Sequence, residues 1–323
     1  MANYLLTGVA GFIAGRVAEM LLDDGHRVVG VDNLNQAYDV RIKHWRLSRI
    51  KDHPNFTFHR LDISDKAALK VLESEEFDGV INLAARAGVR QSVIDPWVYV
   101  DTNVTGTLNL LELCRQRGIS KFILASTSSV YGADAPLPTP EGASSSHPLQ
   151  PYAASKKGAE ALCYAYHYLY DIDTTVFRYF TVYGPAGRPD MVMFRFVLWI
   201  SEGLPVKLNG DGEQTRGFTY VDDIARGTIM GLKPVGFEIV NLGGHESISI
   251  NQLIAMLEER IGRKAQVERR QRHPADMQAN WANVEKAGTL FGWEPGVSLS
   301  KGIANLVDWY NAERSWASQI DTG

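Results

Sequence analysis

The stretch YLLTGVAGFIAG, residues 4–15, narrows what this chain can fold into more than any other feature. A short apolar run ends in Thr7, glycines follow at Gly8 and Gly11, and a helical pattern begins at Phe12. A strand that turns on glycine straight into a helix lets backbone approach a pyrophosphate. The helix N-terminus adds unpaired N–H groups and a favourable dipole. The same glycines would also suit a tight turn that binds nothing. Asp32 weighs against that, because it closes the second strand pattern about twenty residues on. A carboxylate there accepts hydrogen bonds from both ribose hydroxyls of NAD and repels the 2′-phosphate of NADP. Strand, glycine turn, helix, strand and acid together predict a dinucleotide site. The third small position is Ala14, with Gly15 next, and alanine still allows close helix–sheet packing.

The periodicity agrees. Strand patterns at Tyr4–Thr7, Arg27–Asp32, Asn55–Arg60, Gly79–Asn82, Lys121–Ser126 and Thr174–Tyr179 alternate with helical ones at Phe12–Asp24, Lys66–Glu75 and Trp97–Gln116. Such alternation predicts an α/β fold, a Rossmann-like doubly wound parallel sheet with right-handed crossovers. After Gly184 the texture changes to Gly/Pro turns and isolated helices at Ile250–Arg263 and Leu299–Glu313, which predicts a smaller C-terminal substrate-binding lobe. Phe237–Asn241 reads as a strand returning to the main sheet. The expected division is residues 1–180 plus about 218–243 for the cofactor domain. About 181–217 and 244–323 then form the second domain.

Composition excludes other classes. The net charge of −4 gives no electrostatic reason to expect nucleic acid or an anionic membrane. The arginines at 269, 270 and 272 read as surface or substrate contacts. The run MVMFRFVLWI carries Arg195 and is too short to span a bilayer. The apolar N-terminal stretch lacks the basic region of a signal peptide. Cys114 and Cys163 lie far apart without metal-ligand spacing, so the expectation is a reducing, cytoplasmic compartment, no disulfide and no metal.

PYAASKK places Tyr152 and Lys156 four residues apart, on one face of a helix that starts at Pro151. A phenol is a poor base at its free pKa of about 10. Bringing it near neutrality needs roughly 4 kcal/mol, which a close ammonium and a cationic nicotinamide in a dry cleft can supply. Tyr152 could then take a proton from a substrate hydroxyl. The pair alone is weak, since Tyr164, Tyr166 and Tyr170 on the same helix read as packing aromatics. It gains weight from ILASTSSVYG, whose hydroxyls end a strand at the rim where open α/β sheets bind ligands.

Together these residues resemble the extended short-chain dehydrogenase/reductase superfamily, and within it the nucleotide-sugar epimerases and dehydratases. The resemblance covers nearly the whole chain, through TGVAGFIAG, VDN, LDISD, NLAARAGVR, NVTGT, STSSVYG, YAASK, RYFTVYGP, GDGEQTRGFTYVDDIARG and PADMQANWANVEKA. It implies that Gly8, Gly11, Phe12, Ile13, Asp32 and Asn33 hold NAD. Asp62 and Ile63 would flank the adenine, and Leu83, Ala84 and Ala85 would line the cofactor. Asn103 would be a structural or cofactor contact. Thr127 matches the catalytic hydroxyl beside Tyr152 and Lys156, and the last two also touch the cofactor. Arg216 would neutralise the sugar nucleotide's diphosphate, and Asp276 would bind its ribose.

Dehydratases of this family carry an Asp–Glu pair where this chain has Ser128 and Ser129, so dehydration is not expected. UDP-glucose 4-epimerases have asparagine where this chain has Thr181. RYFTVYGPAGRPDM and AARAGVRQS look instead like UDP-glucuronate 4-epimerases, with Arg90, Thr127, Ser128, Thr181 and Arg188 around the sugar. A uronate needs a cation and several hydroxyl donors around C6. Gly217 stands where the family has aspartate, and His273 where galactose epimerases have a diphosphate-binding arginine, which would shift that contact to Arg216 or Arg272. The rival readings are a UDP-glucose/galactose-type 4-epimerase, a UDP-glucuronate decarboxylase and, more remotely, a non-catalytic NAD-binding scaffold. The resemblance also implies a homodimer built from helices at Thr102–Arg117 and Gly158–Tyr170.

Overall fold

The computed structural model describes residues 1–244, 246–271 and 278–322. The first strands are β1 (Asn3–Thr7), β2 (Arg27–Val31), β3 (Phe56–His59), β4 (Gly79–Asn82), β5 (Lys121–Thr127) and β6 (Asp173–Tyr179). They are followed by β7 (Thr181–Tyr183), β8 (Pro205–Asn209), β9 (Thr215–Tyr220) and β10 (Phe237–Leu242). The last are β11 (Ser247–Ser249), β12 (Gln266–Arg270) and β13 (Ala279–Asn280).

Seven strands form one parallel sheet in the order β10-β6-β5-β4-β1-β2-β3. This is the doubly wound Rossmann-like arrangement that the alternating pattern predicts. The order reverses between β1 and β4, which opens a crevice at the strands' C-terminal ends. Side-chain alternation splits the core. Leu6, Val28, Ile81 and Ile123 pack toward the helices Phe12–Asp23 and Val221–Met230. Leu5, Val29, Val80 and Phe122 pack toward Gly106–Arg117 and Pro151–Tyr170. Burial on both faces explains why these strands read as continuous apolar runs.

A second core joins the helices Val192–Glu202, Ile250–Ile261 and Leu299–Ala312 through Phe194, Val197, Leu253, Leu257, Ile303 and Leu306. Ser249 and Gln252 form a reciprocal capping box that fixes the start of Ile250–Ile261. Beside this core lie a small sheet of β7, β9, β11 and β13 and a β8–β12 ribbon.

Two helical expectations change in detail. The Lys66–Glu75 pattern becomes a 3₁₀ segment, Ala68–Ser74. The Trp97–Gln116 pattern is broken by a π turn at Asp101–Thr105, and just after it the Thr107 hydroxyl donates to the Asn103 carbonyl at 2.7 Å. π turns of this kind recur at functional sites. β2 ends one residue early, which leaves Asp32 just past the strand at the rim.

Candidate active site

The glycine turn sits at the crevice. Gly8 has φ +74°, and a Cβ there would lie 2.8 Å from the Ala84 backbone. A Cβ on Gly11 would lie 2.7 Å from the Gly8 carbonyl oxygen. Both positions therefore require glycine. The helix Phe12–Asp23 starts at Gly11 without a side-chain cap, so the amides of Phe12, Ile13 and Ala14 have no intrahelical acceptor. That is the donor set an anionic pyrophosphate needs.

Asp32 is buried beside the turn. Its carboxylate accepts from Ala10 N at 3.2 Å and Leu34 N at 2.8 Å, with Lys43 Nζ 3.9 Å away. Asn33 donates to Asp62 at 2.7 Å. Burial pushes the Asp62 carboxyl up, but hydrogen bonds from Ser64 and Asn33 outweigh it and hold the group below its ordinary value. The Ile63 side chain packs into the core against Gly106, so only its backbone can flank a ligand. Leu83, Ala84 and Ala85 lie half-buried past β4, with Ala84 N donating to the Thr7 hydroxyl at 3.2 Å. These groups fit a dinucleotide.

Asn103 is bound to protein on both sides of the crevice. It is fully buried and spends both amide donors on protein, on Arg86 O at 3.0 Å and Ser155 Oγ at 2.9 Å. Ser155 in turn donates to Tyr152 O, so Asn103 ties the loop after β4 to the helix that carries Tyr152.

Thr127 ends β5 and caps the short turn Ser128–Tyr131, accepting from Ser129 N at 3.2 Å. Tyr152 lies across from it, its ring edge-on to Tyr99 at 6.1 Å. Burial holds the Tyr152 phenol above its ordinary value, with the Thr127 hydroxyl and the Arg188 guanidinium pulling it part of the way down. The expected pull from Lys156 is not found. Lys156 is buried, and its ammonium donates to the Ala125 carbonyl at 2.7 Å instead of turning to the phenol. Burial lowers its pKa to about 8, against upward pulls from Cys163 and Glu160. Among the described residues, the cation that lowers the Tyr152 pKa is Arg188.

The other predicted residues lie on several elements. Ser128 Oγ accepts from Asn280 Nδ2 at 3.2 Å, which links the rim of β5 to the second lobe. Thr181 opens β7. Arg188 forms a two-bond ion pair with Asp190, at 3.0 and 2.6 Å, and its Nη2 reaches the Ala87 carbonyl at 3.5 Å. Arg90 is exposed on the helix Val89–Ile94. Arg216, on β9, donates to Thr215 O at 2.7 Å and pairs in register with Asn280. Asp276, with Arg272 and His273, lies outside the described residues. Arg269 and Arg270 lie on the exposed strand β12, where Arg270 pairs with Glu268.

The sequence matches the family model described as NAD dependent epimerase/dehydratase family over residues 4–243. The chain belongs to that family. A UDP-glucuronate 4-epimerase of Thermodesulfobacterium geofontis is 56% identical, over 96% of each chain. The solved UDP-glucuronic acid 4-epimerase of Bacillus cereus, in complex with UDP-glucuronic acid and NAD, superposes with a TM-score of 0.88 at 37% identity. That match covers 96% of this chain and 99% of the other. A Thermotoga maritima UDP-glucose 4-epimerase, solved with UDP-glucose, gives a TM-score of 0.89 at 32% identity, covering 97% and 99%. Overall shape is therefore shared by family members solved with a charged and with a neutral sugar, so shape alone does not tell them apart.

Two members of the site were missed from sequence. Lys43 and Arg46, on the helix Val40–Ser48, are both buried beside the glycine turn. Their helix is polar and carries no clear apolar stripe, so periodicity hid it. Gly15 was the available signal, since the Arg46 stem packs against it, 3.6 Å from where a Cβ would stand.

Proposed function

We propose that the protein converts UDP-glucuronate to UDP-galacturonate by epimerisation at C4, through a transient 4-keto sugar, with NAD bound throughout. The observation that carries this reading is the convergence of Thr127, Tyr152 and Arg188, which offers a hydroxyl, a phenol and a cation in one place. The 56% identical relative named above supports the same chemistry.

Bound NAD supplies the acceptor for the C4 hydride and, in the reverse step, its donor. Tyr152 accepts the proton of the C4 hydroxyl as the C4–H bond breaks, and returns it after the keto sugar has turned its other face. Thr127 shares that proton's hydrogen bond. Lys156, which donates to the Ala125 carbonyl in the free protein, would serve the cofactor's ribose when NAD is bound. Arg188 bonds the C6 carboxylate with Ser128 and Thr181, Arg90 serves the sugar, Arg216 neutralises the diphosphate, and by the family pattern Asp276 would bind the nucleotide ribose.

The 4-keto uronate is a β-keto acid, which loses CO₂ when its C5–C6 bond stands perpendicular to the carbonyl plane and the carboxylate is desolvated. Charge-assisted bonds to the carboxylate oppose both conditions. The expected product is therefore UDP-galacturonate, with six carbons and the original hydrogen at C4. NMR of a reaction run in D₂O checks both points. Dominant UDP-xylose, or deuterium at C4, would overturn the proposal, and turnover of UDP-glucose alone would favour the neutral-sugar reading.

The cofactor domain we assign to residues 1–180 and about 218–243, and the sugar-nucleotide domain to about 181–217 and 244–323. A homodimer is supported by exposed apolar residues at Trp97, Tyr164, Tyr168 and Leu169, and light scattering reads the mass directly. Two free, buried cysteines support a reducing, cytoplasmic setting, which cell fractionation tests. Among the described residues, no helix is long and apolar enough to cross a membrane.

A further inference from the structure

Arg46 is 4% exposed, and all five of its hydrogen bonds go to neutral acceptors. One side of its fork donates to Ala10 O at 3.1 Å and Tyr38 OH at 2.9 Å. The other side donates to Ala186 O at 2.9 and 2.7 Å and to Gly187 O at 3.3 Å. The rings of Tyr38 and Phe12 flank the guanidinium, at 5.6 and 5.7 Å. No carboxylate lies within ion-pair distance of it among the described residues. A buried charge without an ionic partner is costly, and a planar fork is the group that can bind several carbonyls in fixed directions.

The bonded carbonyls belong to two functional segments separated by more than a hundred residues. Ala10 is inside the glycine turn, between Gly8 and Gly11. Ala186 and Gly187 directly precede Arg188. We infer that Arg46 is a positioning residue that makes the cofactor turn and the Arg188 segment one rigid unit. The placement of the uronate-binding cation is thereby set by the same anchor that shapes the pyrophosphate turn. This inference rests on the proposed role of Arg188.

Arg46→Lys keeps the charge and removes the fork, since one ammonium cannot reach Ala10 and Ala186 together. The test uses NAD-loaded full-length protein in a Tyr152→Phe background, so that bound sugar is not turned over. Calorimetry reads the affinities for UDP-glucuronate and UDP-glucose, and a separate titration reads NAD. Arg46→Lys should weaken NAD binding on the order of tenfold and reduce the preference for UDP-glucuronate over UDP-glucose by a similar factor. In an Arg188→Ala background the same lysine should leave the sugar preference unchanged, because the group it positions is gone. Tyr38→Phe, which deletes one partner and keeps the arginine, should shift both readings in the same direction by less, and serves if the lysine variant fails to fold.

Equal weakening of both sugars, a shift in only one of the two readings, or a further loss of preference on top of Arg188→Ala would each overturn the inference. If the parent protein itself shows no preference for UDP-glucuronate, the Arg188 assignment fails instead, whatever Arg46 does.

Discussion

Replacing Lys156 with methionine should leave the ligand-free protein as stable as the parent or more so at neutral pH, and the difference should move in the parent's favour and reverse sign as pH rises. Lys156 is 2% exposed, and burial brings its pKa from the ordinary 10.5 to about 8. That difference corresponds to about 3 kcal/mol of folding stability withheld wherever the folded state must carry the proton. Below pH 8 both states are protonated and the whole cost is present. Between the folded and unfolded values the unfolded chain binds more protons, so the parent's stability rises with pH, and above them the cost is gone. Methionine keeps most of the side-chain volume and never carries the charge. It also strips the Ala125 carbonyl of its donor, at about 1–3 kcal/mol. The net at pH 7 is therefore a variant between equal to the parent and about 2 kcal/mol more stable. Urea unfolding of both proteins across pH 7 to 11, followed by tryptophan fluorescence, gives the difference at each pH, with most other titrations cancelling. The advantage of the methionine variant should fall by about 3 kcal/mol over that range. A difference that stays flat with pH would refute the reasoning.

Tyr152→Phe should cut turnover by roughly 10²–10⁴-fold while NAD and UDP-glucuronate still bind, since only the proton acceptor is lost. Near-parental rates would remove Tyr152 from the mechanism. Arg188→Ala should weaken UDP-glucuronate by about 1.5–3 kcal/mol and UDP-glucose far less, because a carboxylate partner matters only where there is a carboxylate. Equal losses on the two sugars would point to a structural role. The parent should prefer NAD to NADP by at least about tenfold, and Asp32→Ala should narrow that preference, as competition titrations will show. Equal affinity in the parent would mean that Lys43, 3.9 Å from Asp32, neutralises the carboxylate's exclusion of a 2′-phosphate.

The central sheet was legible because its strands are buried on both faces and so read as unbroken apolar runs ending at ligand-facing positions. β10, some sixty residues after β6, was readable for the same reason: Phe237–Leu242 carries Val240 and Leu242 fully buried. In the second lobe the helices Ile250–Ile261 and Leu299–Ala312 were legible too, but its strands were not, because Ser247–Ser249 and Ala279–Asn280 are too short to set up a period. Polar helices hid too. Val40–Ser48 buries Ile42 and Leu47 alongside two cations, and a pattern search counts those cations as surface. At the site, residue types were legible but pairings were not. Tyr152 and Lys156 share a helix face, yet the nearest strong acceptor for the ammonium is a β5 carbonyl, which no spacing along the helix reveals.

The proposed reaction also bears on why the site carries an expensive cation. Hydride leaves and returns to the same cofactor, so an epimerase gains nothing by exchanging it. Escape of the reduced cofactor while the sugar is still a ketone would strand the intermediate. Tight retention is therefore required, and one route to it is a ligand-free state that is itself raised in energy. Burial lowers the Lys156 pKa to about 8 even with the Ala125 carbonyl as acceptor, so a ligand that brings further acceptors to the ammonium would recover part of that cost, at most about 2 kcal/mol after the Ala125 bond is counted. Lys156→Met should then do two things at once. It should stabilise the free protein at pH 7 and shrink the further stabilisation that saturating NAD confers, both read from unfolding with and without NAD. If the methionine variant gained as much from NAD as the parent does, retention would have to come from the glycine turn and Asp32 alone.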